Sequence, residues 1–410
     1  MTLSEYRDLR GGAPLWTADE RDAFVADRVP SGDLDVAVVG AGIMGAMIAD
    51  RLSAAGREVS LFDRRPPGHG ATAASTALVM WAADVPLTHL AAEIGADEAI
   101  RRWRRIHRAN RDLARLIDRD RIACDRKERP ELYLAGTLLD EDELRREAEL
   151  RSGAGLPSRF LPASEVGARF GIAPRAAILS EGSYGVDPVD LTLALIERTR
   201  ARGGSVHCPV DVTAIARGSR ATCLSLGDGS QLRARTVILA TGYERPSLLL
   251  PAAFTVQSSY AIATSPAREP PWREGALIWE ASSPYFYGRM TRDGRVVAGG
   301  EDEVFADASR RDAVIGEKAG LLMQKLASLT GTRSLTLDFG WSASFGASPD
   351  GLPAIGRAQG EGDVWLAYGF GGNGVTFAAL GADIVVAALA GTPDPDAGCF
   401  DPYRFPSSHG

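Results

Sequence analysis

Lysine is nearly missing from this chain. Only Lys127, Lys318 and Lys325 occur among 46 basic residues, so arginine carries almost all the positive charge. Acidic residues still prevail, and a net charge of −7 with a pI near 5.5 argues against nucleic acid as a partner, which calls for a basic face. Cysteine is scarce as well. Cys124, Cys208, Cys223 and Cys399 are widely spread and form no C-x-x-C pair, which excludes a disulfide framework or zinc site and fits reduced thiols in a cytoplasmic protein. The five histidines (His69, His89, His107, His207 and His409) show no ligand spacing, so no metal is expected. No apolar run approaches the length of a transmembrane segment. The first residues are rich in Asp, Glu and Arg, unlike a secretory signal. The remaining composition, 45% hydrophobic and 24% charged over 410 residues, is that of a globular chain long enough for two domains.

What is present centres on Asp33 to Arg64. Val36 to Val39 form a short apolar run of the kind found in buried parallel strands. Gly40, Gly42 and Gly45 follow with G-x-G-x-x-G spacing. The first glycine permits a tight turn, the second lets backbone approach a pyrophosphate, and the third lets the helix pack on the strand. Free N–H groups and the dipole at the helix start suit phosphate charge. A second strand, Val59 to Phe62, ends in Asp63, eighteen residues after Gly45, close to the spacing of a carboxylate that grips a ribose hydroxyl. This stretch alone predicts an adenine dinucleotide and leaves FAD and NAD(P) both open.

Residues 1–32 read as a leader anchored by Pro14-Leu15-Trp16, with a helix start at Thr17-Ala18-Asp19-Glu20. Apolar residues from Leu87 to Ile117 recur at helical spacing. Further helices are expected at 141–150, 191–202 and 312–329, with short strands at 132–134, 205–212, 221–226, 231–235 and 236–240. The segment 156–163 reads as a connection. Tyr285 to Arg289 and Arg295 to Gly299, joined by Asp293-Gly294, form a predicted hairpin. Near the C-terminus a strand at 364–367, the loop Gly369-Phe370-Gly371-Gly372-Asn373-Gly374 and a helix to about Ala390 offer a second place where amides meet an anion.

With GAGIMG and Asp63-Arg64, GATAASTALV, VDPVDL, VILATGYE, DGLPAIG and GFGGNGVTF in this order, residues 33–395 resemble the FAD-dependent oxidoreductases of the D-amino acid oxidase superfamily, of the glycine oxidase and sarcosine oxidase type. The resemblance implies an α/β chain: a Rossmann-like FAD-binding domain from discontinuous segments (33–85, 151–245 and 341–400) and a substrate domain (86–150 and 246–340) with a large mixed β-sheet. It implies that Gly40, Gly42, Ile43, Met44 and Gly45 hold the pyrophosphate and that Asp63 and Arg64 take the adenosine ribose. Ser75, Thr76 and Ala77 would run under the flavin, Val210 would meet the adenine, and Thr241 and Gly242 would line the dinucleotide. Gly371, Gly372, Asn373, Gly374, Val375 and Thr376 would face the flavin's pyrimidine edge. The implied chemistry is oxidation of a C–N bond in an amine or amino acid by hydride transfer to flavin N5, with oxygen or another acceptor taking the electrons.

The chain departs from the superfamily at the substrate end. Where relatives carry a basic carboxylate anchor, it has Phe345, Gly372 and Thr376. Its candidates for substrate contact are therefore Arg289 and Tyr287 on the hairpin, with Trp81, Trp341 and Phe345 as an aromatic wall. The positions of covalent flavin attachment in relatives fall near Ala343 and Ala74, so FAD is expected to be non-covalent. The position of an oxygen-activating lysine falls near Val297, which keeps a dehydrogenase open beside an oxidase. Oxidation of a C–O bond, or an electron-relaying flavoprotein subunit, remains the alternative.

Overall fold

The computed structural model describes residues 3, 7–17, 24–244 and 249–405. The expected helix start at Ala18–Glu20 lies outside the described residues. Two sheets organise the chain. The first has the strand order Ala354–Arg357, Val364–Tyr368, Gln231–Leu239, Leu34–Val39, Val59–Phe62 and Ser205–His207. All neighbours after the first pair are parallel. Parallel strands are covered on both faces and read as continuous apolar runs, and Val36, Ala37, Val38, Val59, Leu61, Val237 and Ile238 are fully buried. The helices Ile43–Ala54 and Gly374–Leu389 pack together on one face.

The second sheet is ten-stranded and mixed. Its order is Arg10–Gly12, Leu337–Ala347, Thr255–Thr264, Val296–Glu303, Phe286–Met290, Leu277–Glu280, Lys127–Leu134, Ala177–Gly185 and Leu78–Val79, with Ser158–Leu161 added on Ala177–Gly185. Side chains alternate between faces along each strand. Ile262, Ala298, Phe286 and Ile278 pack outward with the helix Ile315–Thr330. Ala261, Val297 and Trp341 point the other way. The predicted hairpin forms, with Tyr287 opposite Gly299 and Arg289 opposite Val297.

Several features differ from the sequence reading: the expected strand 205–212 stops at His207, the strands 231–235 and 236–240 are one, Gln231–Leu239, and the helix 312–329 falls across two, Ala308–Ala313 and Ile315–Thr330. The helical stretch 87–117 is two helices, Leu87–Ile94 and Ala96–Arg119, broken at Gly95, whose φ of +87° lies where only glycine is comfortable. The 156–163 connection contains the strand Ser158–Leu161. The sheets also divide the chain differently from the expected domain boundaries. Ser158–Leu161, Ala177–Gly185, Leu78–Val79 and the whole of Leu337–Ala347 belong to the large sheet, and the leader adds Arg10–Gly12 to its edge. Short strands carry no local mark of which sheet they join.

Candidate active site

A cavity runs from the C-terminal ends of the parallel strands to the inner face of the large sheet. At its first end the glycine turn is packed to the limit. A Cβ on Gly45 would sit 1.9 Å from the Gly40 carbonyl oxygen, and one on Gly40 (φ +113°) 2.2 Å from the Ala240 carbonyl oxygen. Gly42 caps the helix without a side-chain hydrogen bond, and Thr72 Oγ1 accepts from Ile43 N at 3.0 Å. Asp63 Oδ2 accepts from Ala41 N at 2.7 Å and Oδ1 from Arg65 N at 2.8 Å. Burial raises the Asp63 carboxyl above its ordinary value, against the pull of these amides. Each carboxylate oxygen has a second lone pair, and Asp63 lines the cavity. Arg64 and Arg65 both pair with Glu244. Val210 N donates to Asp63 O at 2.8 Å, which brings that strand connection to the same end.

The middle of the cavity is the segment Ala71–Ala77. Three consecutive carbonyls here are each held by a side chain from elsewhere. Trp341 Nε1 donates to Ala74 O at 2.8 Å, Trp16 Nε1 to Ser75 O at 2.6 Å, and Arg289 Nε to Thr76 O at 2.7 Å. Arg289 Nη2 also donates to Val186 O at 2.6 Å. Arg289 is 4% exposed, and burial lowers its pKa to about 10, so it stays charged at neutral pH.

The far end is an aromatic chamber. Tyr285 and Tyr287 stack with ring centroids 5.7 Å apart. Trp279 is fixed by a 3.0 Å bond from Nε1 to Glu131 Oε1 and by stacking on Tyr133 at 3.9 Å. Phe345 and Ser259 complete the lining. One carboxylate enters this chamber. Asp84 Oδ2 accepts from Gly372 N at 2.7 Å, and two further rungs tie the same segments together: Asn373 Nδ2 to Ala82 O, and Thr376 Oγ1 to Met80 O at 2.7 Å. Asp84 is accessible from the cavity, yet the protein around it displaces enough water to push its carboxyl up to about 6, with Asp302 adding like-charge repulsion.

Of the residues expected to meet the cofactor, Gly40, Gly42, Ile43, Met44, Asp63, Arg64, Ser75, Thr76, Ala77, Val210, Thr241, Gly242 and Gly371 to Val375 line the cavity. Gly45 sits behind the turn, and Thr376 is buried with its hydroxyl on Met80. Tyr287 and Phe345 line the chamber; Arg289, Trp81 and Trp341 do not. Trp81 is core, with Nε1 on Glu181 O and edge contacts to Trp103 and His107. Arg289 and Trp341 spend their donors on the Ala71–Ala77 segment, so their role is to position it. Sequence reasoning passed over Asp84, Trp279, Tyr285 and Ser259. Tyr285 was within reach of it, since it alternates with Tyr287 on the hairpin; the other three carry no local signal.

The fold and this cavity define an oxidoreductase with a dinucleotide cofactor between two sheets. Residues 35–388 match the family model DAO, FAD dependent oxidoreductase, and the chain belongs to that family. Glycine oxidase from Geobacillus kaustophilus superposes with a TM-score of 0.74 at 20% identity, covering 93% of this chain and all of that one. L-proline dehydrogenase from P. horikoshii superposes at 0.75 with 18% identity, covering 91% and 98%. The tRNA 5-methylaminomethyl-2-thiouridine biosynthesis bifunctional protein MnmC of Polaromonas naphthalenivorans (strain CJ2) is 45% identical over 56 residues, which are 14% of this chain and only 9% of that protein. Among the described residues no helix is long and apolar enough to cross a membrane.

The residues present fit FAD. The glycine turn and uncapped helix start would receive the pyrophosphate, Asp63 the ribose, and Gly371 to Val375 with the start of helix Gly374–Leu389 the electron-rich edge of the ring.

Proposed function

We propose that this enzyme oxidises a C–N bond of an amine or amino acid, giving an imine that water hydrolyses. The observation that carries this reading is the continuity of one cavity from the dinucleotide cradle into an aromatic chamber. Structural neighbours act on glycine, on L-proline and on iminodiacetate, and carbon bonded to nitrogen is common to those substrates. Bound FAD supplies a hydride acceptor. The chain's own part is to hold the reacting carbon against it and exclude water, which is where positioning lowers the barrier. Tyr287 and Phe345 bound the chamber for this purpose.

The FAD is non-covalent in this reading. Ala343 and Ala74 line the cavity where attachment would occur, and the four cysteines lie elsewhere. Oxygen or another carrier accepts the electrons, and the four free thiols suit the cytoplasm. The FAD-binding and substrate-binding parts follow the two sheets.

The test is the visible spectrum of the purified protein before and after acid precipitation, followed by an anaerobic screen of amines, amino acids and hydroxy acids. A flavin spectrum released by acid and bleached by an amine or amino acid is expected. Bleaching by hydroxy acids alone would overturn the C–N assignment.

A further inference from the structure

The charge of the cavity is divided by position. Among the described residues, its basic lining residues are Arg64, Arg65 and His69. The arginines pair with Glu244 and, with Asp63, sit at the nucleotide end. His69 lies against Arg10 near the same end. Among the described residues, the aromatic chamber has no basic lining residue and one carboxylate, Asp84. That carboxylate is not accidental in its placement. The rungs Met80–Thr376, Ala82–Asn373 and Asp84–Gly372 run side by side and present it to the chamber. A Cβ on Gly372 would meet Asp84 Oδ1, the mobile end of that side chain, at 2.7 Å, so a side chain placed there lies against the carboxylate. The rings of Tyr285, Tyr287, Trp279 and Phe345 line the same cavity, and the Asp84 charge reaches Tyr285 and Tyr287. Aromatic faces attract a cation through their quadrupole and pack equally well on methylenes.

An α-carboxylate finds no cationic partner among the described residues lining this chamber, and placing it beside Asp84 would set two like charges together. An ammonium has the carboxylate and the rings. One nitrogen cannot serve both ends of the task, however. The nitrogen at the oxidised carbon must present a free lone pair, whereas the nitrogen on Asp84 is held as a cation. We infer that the substrate is an alkyl diamine without an α-carboxylate, its distal ammonium paired with Asp84 and its methylenes lying along Tyr285, Tyr287 and Trp279. This rests on the C–N reading above and specifies it. The reaction balances as loss of a hydride from the carbon beside the neutral nitrogen to the flavin, formation of C=N, and hydrolysis to an aldehyde and ammonia. The distal nitrogen is untouched.

The experiment compares 1,4-diaminobutane, butylamine, glycine, N-methylglycine and proline as anaerobic reductants of the holoenzyme, and titrates the oxidised holoenzyme spectrum with each. The diamine is expected to exceed every amino acid at least a hundredfold in kcat/KM. Asp84→Asn should raise its KM at least tenfold and lower the ratio of diamine to butylamine kcat/KM at least tenfold. Gly372→Arg, which sets a guanidinium against Asp84, should erase the preference for the diamine. Amino acids that match the diamine, or an Asp84→Asn enzyme with unchanged diamine KM and spectral Kd, would overturn the inference. A diamine that perturbs the spectrum through Asp84 without bleaching it would leave this site standing and remove the C–N reaction. No perturbation by the diamine removes the site itself.

Discussion

Arg289 donates to the carbonyl of Thr76 at 2.7 Å from Nε while its Nη2 holds Val186 O at 2.6 Å. The guanidinium thus joins the hairpin of the large sheet to the segment Ala71–Ala77, and it does so from outside the chamber. Arg289→Ala leaves two buried carbonyls without donors, a cost of about 3 kcal/mol. Tm should fall by several degrees and FAD should be lost on gel filtration. Arg289→Lys should rescue little, because an ammonium lacks the fork that spans both carbonyls. A variant with native Tm and full FAD content but a raised KM would return Arg289 to the chamber wall.

The three glycines of the turn separate by the same reasoning. A Cβ on Gly45 meets backbone at 1.9 Å, whereas one on Gly42 meets only Thr72 Oγ1, at 3.1 Å. Gly45→Ala should therefore yield little folded protein. Gly42→Ala should fold with a Tm close to the parent without cofactor, yet bind FAD at least tenfold more weakly, because the new methyl stands where the pyrophosphate must approach. Calorimetry of the flavin-free proteins and FAD titration measure the two effects separately. Equal FAD affinity in Gly42→Ala would contradict the pyrophosphate site.

The dinucleotide half was legible because its signals are local. Strand, glycine spacing, helix and acid lie within Asp33 to Arg64 and constrain one another. The other half is assembled over long separations. Trp341 reaches Ala74 across 267 positions and Arg289 reaches Thr76 across 213. Nothing near Arg289 or Trp341 in sequence distinguishes a donor aimed at a substrate from one aimed at a carbonyl. Trp81 differs in another way: it follows the Ala71–Ala77 segment closely, yet packs in the core against Trp103 and His107. Asp84 follows an unremarkable Trp-Ala-Ala, and its place becomes visible only when Gly372 arrives from 288 positions away.

Asp63 does two jobs at once, accepting from Ala41 N and Arg65 N while lining the cavity. Asp63→Ala should weaken FAD binding at least tenfold, about 1.4 kcal/mol, and destabilise the flavin-free protein through the two orphaned amides. Asp63→Asn keeps one acceptor oxygen and should fall between parent and Ala in both respects. Full FAD retention by Asp63→Ala during dialysis would count against the ribose role.

The last consequence concerns pH. The Asp84 carboxyl sits at about 6 in the folded protein, raised by burial and by Asp302 against the pull of the Gly372 amide, whereas an unfolded chain would hold it near the ordinary 3.8. Between those values the folded state binds the extra proton. Stability is therefore fully supported below about pH 4, declines as pH rises to about 6, and stays reduced above that. Tyr285 and Tyr287 face the same space but are pushed upward by burial and do not titrate in this window. Asp84→Asn keeps an acceptor for Gly372 N and removes the charge. Its Tm should exceed that of the parent at pH 8 in flavin-free protein, and the difference should vanish at pH 4. Such a gain would identify Asp84 as a group kept at a cost to the fold, as recognition of a cation requires. An Asp84→Asn protein no more stable than the parent at pH 8 would mean that cavity water already solvates the carboxylate, and the pH-dependent difference in Tm would be absent.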